Sequence, residues 1–170
     1  MSVVCVDTQL LFWAIMGRGT DDQQLLDSAR EFMKMLDANG DRIIVPSIVV
    51  GEMLVPVEEW HVKQVMTQYK TYWRIADYDV RCALQFAKMR RNHALEKRVK
   101  SLQELEGVTR RELIADVMII ATAIANSADI IYSHDEPLRK LAEDWIEAKD
   151  FVQEGIQYSM RLENKSDESE

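Results

Sequence analysis

Residues 128–137 read Ala128-Asp-Ile-Ile-Tyr-Ser-His-Asp-Glu-Pro137, an apolar β-rich triplet followed at once by polar residues, an acid and a proline in the first turn of a new helix. This is how a buried strand looks where it ends at the carboxyl edge of a sheet and hands over to a helix. The same grammar recurs outward from it. Ser2 to Val6 is a short apolar run stopped by Asp7, and Ile43-Ile44-Val45 is stopped by Pro46, with a short helix through Glu52 and Met53 before Pro56.

Between these strands the spacing turns helical. Leu25, Leu26, Ala29, Phe32, Met33 and Leu36 recur at three and four residues from Asp22 to the Asn39-Gly40 stop. Trp60 to Tyr69 suits a further helix, Trp73 to Ala76 a weaker strand, and Asp79 caps a helix that can run as far as Leu95. Thr109-Arg-Arg-Glu112 has the capping-box pattern ahead of the apolar series Leu113 to Ile124. Strand and helix alternate throughout, which predicts an α/β fold: a three-layer α/β/α sandwich around a central, mostly parallel sheet. A single domain over 1–160 is expected, with an acidic, aperiodic tail at 161–170.

Composition sets the outer bounds. A 170-residue chain with 47% hydrophobic residues, six Gly and three Pro excludes collagen-like and wholly disordered classes. The apolar run Val117 to Ala125 is half a membrane span, and no basic leader precedes Val3, so a cytoplasmic protein is expected. Cys5 and Cys82 stand apart from any Cys/His cluster and read as small buried hydrophobes in a reducing compartment.

Four acids lie among apolar neighbours: Asp7 after Val-Val-Cys-Val, Glu52 in Val-Gly-Glu-Met-Leu, Asp116 in Ile-Ala-Asp-Val-Met, and Asp135 after Tyr-Ser-His. Singly, each suits a cap or a lone polar position on a helix. The expected topology gathers all four at one sheet edge, where like charges repel unless a cation or protons intervene. All-oxygen ligands with no soft donors nearby point to Mg²⁺ or Mn²⁺.

The ordered motifs resemble those of the PIN-domain ribonucleases, particularly the toxin-like members of toxin–antitoxin pairs. They are Asp7-Thr8, Pro46 with Glu52, the helix Asp116-Val-Met-Ile-Ile-Ala-Thr-Ala123, and Ala128-Asp129-Ile-Ile-Tyr-Ser-His-Asp135. The resemblance spans roughly residues 2 to 145, with Ser133 where the family usually has Thr and a long interval between Glu52 and Asp116. It implies a metal-dependent endoribonuclease, a phosphodiester hydrolase, in which Asp7, Glu52, Asp116 and Asp135 hold one or two Mg²⁺ or Mn²⁺ ions. Thr8 and Ser133 would orient a carboxylate or phosphate, and the products would carry a 5′-phosphate and a 3′-hydroxyl. An antitoxin peptide and a homodimer are the implied partners beside RNA, and no membrane. The alternative within the same resemblance is a PIN-like protein- or RNA-binding module with weak or no nuclease activity. An aspartyl-phosphate mechanism fits less well, because Asp7-Thr8-Gln9 lacks an acid two residues on.

An overall charge of −8 argues against nucleic acid, but it is an average. Lys88, Arg90, Arg91, Lys97, Arg98 and Lys100 face one acid, Glu96, within thirteen residues. Arg110 and Arg111 precede Asp116 by one to two turns. Arg90, Arg91, Arg110 and Arg111 are therefore the candidate phosphate contacts. His134, beside Asp135, is read as an exposed neighbour without catalytic duty.

Overall fold

The structure, a computed structural model, describes residues 1–167; the end of the tail at 168–170 lies outside the described residues. Five strands, β1 (Val3–Val6), β2 (Arg42–Pro46), β3 (Arg74–Ala76), β4 (Ile130–Tyr132) and β5 (Glu147–Lys149), form one parallel sheet in the order β3-β2-β1-β4-β5. The helices are α1 (Thr8–Leu11), continued by a π-helical turn Phe12–Met16, then α2 (Gln23–Asn39), α3 (Ser47–Leu54), α4 (Glu59–Tyr72) and α5 (Val80–Arg90). They continue with α6 (His93–Glu106), α7 (Arg110–Ala125), α8 (Glu136–Ala142) and α9 (Phe151–Asp167).

The chain first steps from β1 to β2 and β3, then crosses back to β4 and β5 on the other side of β1. Right-handed crossovers in opposite directions place α2 on one face and the α5–α7 connection on the other, which makes the three layers. α9 joins the first face by packing along α2, and α5 lies against α7 on the second. Phe32 of α2 fixes the first face, its ring 4.6 Å from that of Tyr132 and 6.0 Å from that of Phe151. The central strands are buried on both faces, as the continuous runs Val4-Cys5-Val6 and Ile130-Ile131-Tyr132 require.

Three elements differ from the sequence reading. The helix that starts at Asp79 stops at Arg90, and Asn92 caps a new one by accepting from the Leu95 backbone N–H at 3.1 Å. Strand β5, Glu-Ala-Lys, has no β pattern of its own and exists because it pairs with β4. α9, whose Phe151 ring packs beside Phe32 of α2, runs unbroken into the stretch read as tail, as far as Asp167.

Candidate active site

The reversal of strand direction falls between β1 and β4, where open α/β sheets leave a crevice outside the carboxyl ends of the strands. The residues that follow those two strands are Asp7 and, after Ser133-His134, Asp135. A cavity of about 490 Å³ opens there, lined by Asp7, Glu52, Asp116 and Asp135 together. Four separate elements thus deliver the four acids: the end of β1, α3, α7 and the start of α8.

Each acid is positioned by local chemistry. Asp7 is the N-cap of α1, accepting from the Leu10 backbone N–H at 3.2 Å, and only 3% of its surface is exposed. Its second oxygen takes a hydrogen bond from the Ser133 hydroxyl, which in turn accepts from the Asp135 backbone N–H at 3.0 Å. One hydroxyl therefore ties the acid after β1 to the acid after β4. Glu52 receives the Thr8 hydroxyl. Asp135 begins α8 without spending its carboxylate on a cap hydrogen bond, which leaves it to the cavity.

Asp116 sits one turn beyond Glu112 on the same face of α7. The capping box is complete: the Thr109 hydroxyl accepts from the Glu112 N–H at 3.3 Å and the Glu112 carboxylate takes the Thr109 N–H at 2.8 Å. This fixes the first turn of the helix and hence the height at which Asp116 enters the cavity.

The electrostatics record the crowding. Burial pushes the Asp116 carboxyl up to about 8, reinforced by the charges of Asp135, Asp7, Glu52 and Glu112. Burial raises Asp7 to about 6, against the lowering effect of the Ser133 and backbone donors. Asp135 is also raised, first by burial, while Arg139 partly offsets this. Arg139 was not legible as a site residue, although it lies one turn after Asp135; it donates to the Ser133 carbonyl at 2.8 Å and pairs with Asp150 at 3.8 Å. The buried Cys5 thiol is pushed up by desolvation and by Asp7, consistent with an inert core thiol. Among the described residues no three His, Cys, Asp or Glu side chains already converge as a metal cage.

The cations separate into two groups. Arg90 pairs with Glu96 at 2.8 Å, and Arg98 with Asp144 at 2.8 Å and Glu143 at 3.2 Å, so both are committed within the protein. Lys88, Arg91, Lys97 and Lys100 are exposed, as are Arg110 and Arg111, which lie in sequence between the cavity-lining residues Val108 and Glu112. His134 is half-buried rather than exposed: Nδ1 is 3.0 Å from Asp150, and its ring is 5.3 Å from Trp13. The cavity wall also contains Gln9, Glu106 and Glu112, none of which the sequence reading placed there.

A parallel α/β sheet whose switch point carries a cavity with a cluster of carboxylates defines a recognisable class of protein. The PIN domain family model matches residues 4–144, and the chain belongs to that family. In structure it is similar to a chain of VapBC2 from Rickettsia felis bound to a DNA fragment from their promoter, with a TM-score of 0.57 and 16% identity over 87% of this chain and 98% of that one. It is likewise similar to a chain of DNA-bound VapBC from Salmonella typhimurium, with a TM-score of 0.55 and 15% identity over 89% and 99%. At such identities the likeness concerns the fold. No curated protein matches the chain by sequence. Among the described residues no helix is long and apolar enough to cross a membrane.

Proposed function

We propose that the protein is a divalent-metal-dependent endoribonuclease, the toxin-like partner of a toxin–antitoxin pair acting in the cytoplasm. The observation that carries this reading is the meeting of Asp7, Glu52, Asp116 and Asp135, from four elements, around one cavity. Asp116, raised by burial and by the charges of Asp135, Asp7 and Glu52, is a poor structural device, and hard cations are what all-oxygen donor sets take. The donors fit Mg²⁺ or Mn²⁺: Asp7 and Asp116 would be the first choices to hold the ion, and Glu52 and Asp135 would complete the set. When bound, such an ion neutralises phosphate oxygens and makes a water acidic enough to attack.

The chain's own groups do the rest. Ser133 and Thr8 hold the Asp7 and Glu52 carboxylates in orientation by donating to them. The three sheet-edge residues Asp7, Ser133 and Asp135 form one hydrogen-bonded line, so the two acids on either side of the switch point move together. Family membership and the cavity's chemistry support the nuclease reading over a pure binding module. An antitoxin peptide and a second copy of the chain are the expected protein partners.

The reading is tested by incubating RNA with the wild type and with Asp7→Asn, in Mn²⁺ and in chelator. Cleavage by the wild type in metal alone supports it; equal cleavage by both proteins, or none across varied RNAs, overturns it.

Two further outcomes are expected. Ser133→Ala removes a donor that lowers the Asp7 carboxyl, so protons compete better for that oxygen and Mn²⁺ affinity at pH 7 falls about 10-fold or more, as measured by calorimetry. Arg110→Glu with Arg111→Glu places acids in the first turn of α7, where the helix dipole favours them, so the melting temperature holds or rises. RNA binding nevertheless weakens, and the slope of log affinity against log salt flattens by about 0.7 for each phosphate that is no longer neutralised. An unchanged slope removes these arginines from the RNA path.

A further inference from the structure

Gln9 follows Asp7-Thr8 on α1 and forms part of the cavity wall beside the four acids. The turn that carries it is fixed, because the N–H of the next residue, Leu10, donates to the Asp7 carboxylate. The Gln9 amide oxygen Oε1 is buried and has no hydrogen-bond partner. A stranded buried acceptor is costly, and the next two residues, Leu10 and Leu11, show that this helix takes apolar side chains readily. A leucine at position 9 would avoid the cost, so fold stability does not explain the amide.

What would satisfy it is a donor brought by the ligand. The terminal torsion of a glutamine is broad and the oxygen has no donor holding it inward, so the amide can turn to face the cavity. The carboxylates already supply acceptors for water bound to a cation. They are also a poor partner for a neutral hydroxyl close to an anionic phosphate. The uncharged amide accepts a hydrogen bond without adding to the negative charge. On a single RNA strand the sugar donor nearest the phosphate is the ribose 2′-hydroxyl, the group by which a protein tells RNA from DNA.

Resting on the nuclease reading above, we propose that Gln9 accepts a hydrogen bond from the 2′-hydroxyl of the nucleotide on the 5′ side of the cleaved bond, and so sets the preference for ribose. It is a specificity residue of the site, distinct from the acids that hold the cation.

The test uses the full chain, with Gln9→Leu and Gln9→Ala as variants. Each is assayed in Mn²⁺ on an RNA oligonucleotide and on the same strand carrying one 2′-deoxynucleotide 5′ of the cleaved bond. The wild type should prefer the ribose strand by about 10-fold, the worth of one net hydrogen bond, and both variants should bring the ratio close to one. Gln9→Leu should also melt higher than the wild type, since the stranded acceptor is gone, and should show the wild-type rise in melting temperature on adding Mn²⁺. A ratio that survives in both variants overturns the proposal. So does a smaller Mn²⁺ response in Gln9→Leu, which would assign the amide to water around the cation. If the wild type cleaves neither strand, the nuclease reading falls, and binding decides Gln9 separately. In an Asp116→Asn background, equal affinity for the ribose and deoxyribose strands rejects the role, and a preference lost on adding Gln9→Leu sustains it.

Discussion

Asp116→Asn is expected to lose RNA cleavage by at least about 100-fold while the metal-free protein becomes more stable. The two effects have one cause. Asp116 is held at the cavity wall by α7, largely buried and within the field of Asp135, Asp7, Glu52 and Glu112, so its carboxyl rises from 3.8 to about 8. In the folded chain it keeps its proton over a range in which the unfolded chain has lost it. The folded state therefore binds more protons, and stability of the metal-free protein falls as pH rises from about 4 to about 8, then levels off. Asp7, raised to about 6, adds to the same slope over the lower half of that range. A shift of this size at Asp116 is worth about 5 kcal/mol at pH 8 as an upper bound.

Asparagine keeps the shape and removes the charge. A gain of about 2 kcal/mol, well inside that bound, raises the melting temperature by about 4–8 °C at pH 8 and by much less at pH 5. Added Mn²⁺ should reverse the order, stabilising the wild type increasingly as pH rises because protons compete with the ion for the same oxygens. The measurement is a set of melting curves from pH 5 to 8.5, with and without Mn²⁺. A variant no more stable than the wild type at pH 8 would show that the acids are relaxed in the apo protein, and the repulsion argument for a cation would fail.

What the sequence disclosed and what it concealed follow from the range of the interactions involved. The strands β1, β2 and β4 were legible because each is a β-branched or aromatic run buried on both faces, and burial leaves its mark residue by residue. The first turn of α7 was legible because a capping box is a four-residue device. The four acids were legible because a carboxylate among apolar neighbours, at a strand end for Asp7 and Asp135 and within a helix for Glu52 and Asp116, is costly without a purpose, and the parallel topology places them around one cavity. Strand β5 was not, since Glu147-Ala148-Lys149 is strand only by its pairing with Ile130-Ile131-Tyr132. Part of the basic stretch is spent inside the fold for a similar reason, while Lys88, Arg91, Lys97 and Lys100 stay exposed. Six cations counted along the chain suggest a surface, but Arg98 is answered by Glu143 and Asp144, some forty-five residues away and visible only in the folded protein. The long interval between Glu52 and Asp116 holds α4, β3, α5 and α6, and the end of α6 supplies Glu106 to the cavity wall.

Gly155→Ala is expected to be the most crowded of the glycine-to-alanine changes, and its effect should reach the candidate site. Gly155 lies in α9 where that helix crosses α2, and a Cβ there would stand 2.1 Å from the Ser28 carbonyl oxygen and 3.3 Å from the Phe32 Cβ. The nearer atom is backbone of a long helix, so it cannot rotate aside. The helices must separate, and overpacking of this kind costs about 1–3 kcal/mol, more when the obstructing atom is fixed. The pairing of α2 with α9 carries Phe32, Tyr132 and Phe151, so separation also loosens the first face of the sheet. From there the disturbance has a short route inward. Asp150 caps the start of α9 by accepting from the Val152 N–H at 2.9 Å while its carboxylate holds His134 at 3.0 Å and Arg139 at 3.8 Å. Arg139 in turn donates to the Ser133 carbonyl, and the Ser133 hydroxyl sets Asp7. A retracted α9 thus slackens the line that links Asp7 to Asp135. Gly155→Ala should lower the melting temperature by about 4–12 °C and weaken the Mn²⁺ response in proportion more than an equally destabilising change on the other face, such as Leu102→Ala on α6. Equal Mn²⁺ responses at matched stability would show that α9 supports the fold alone and has no part in positioning the acids.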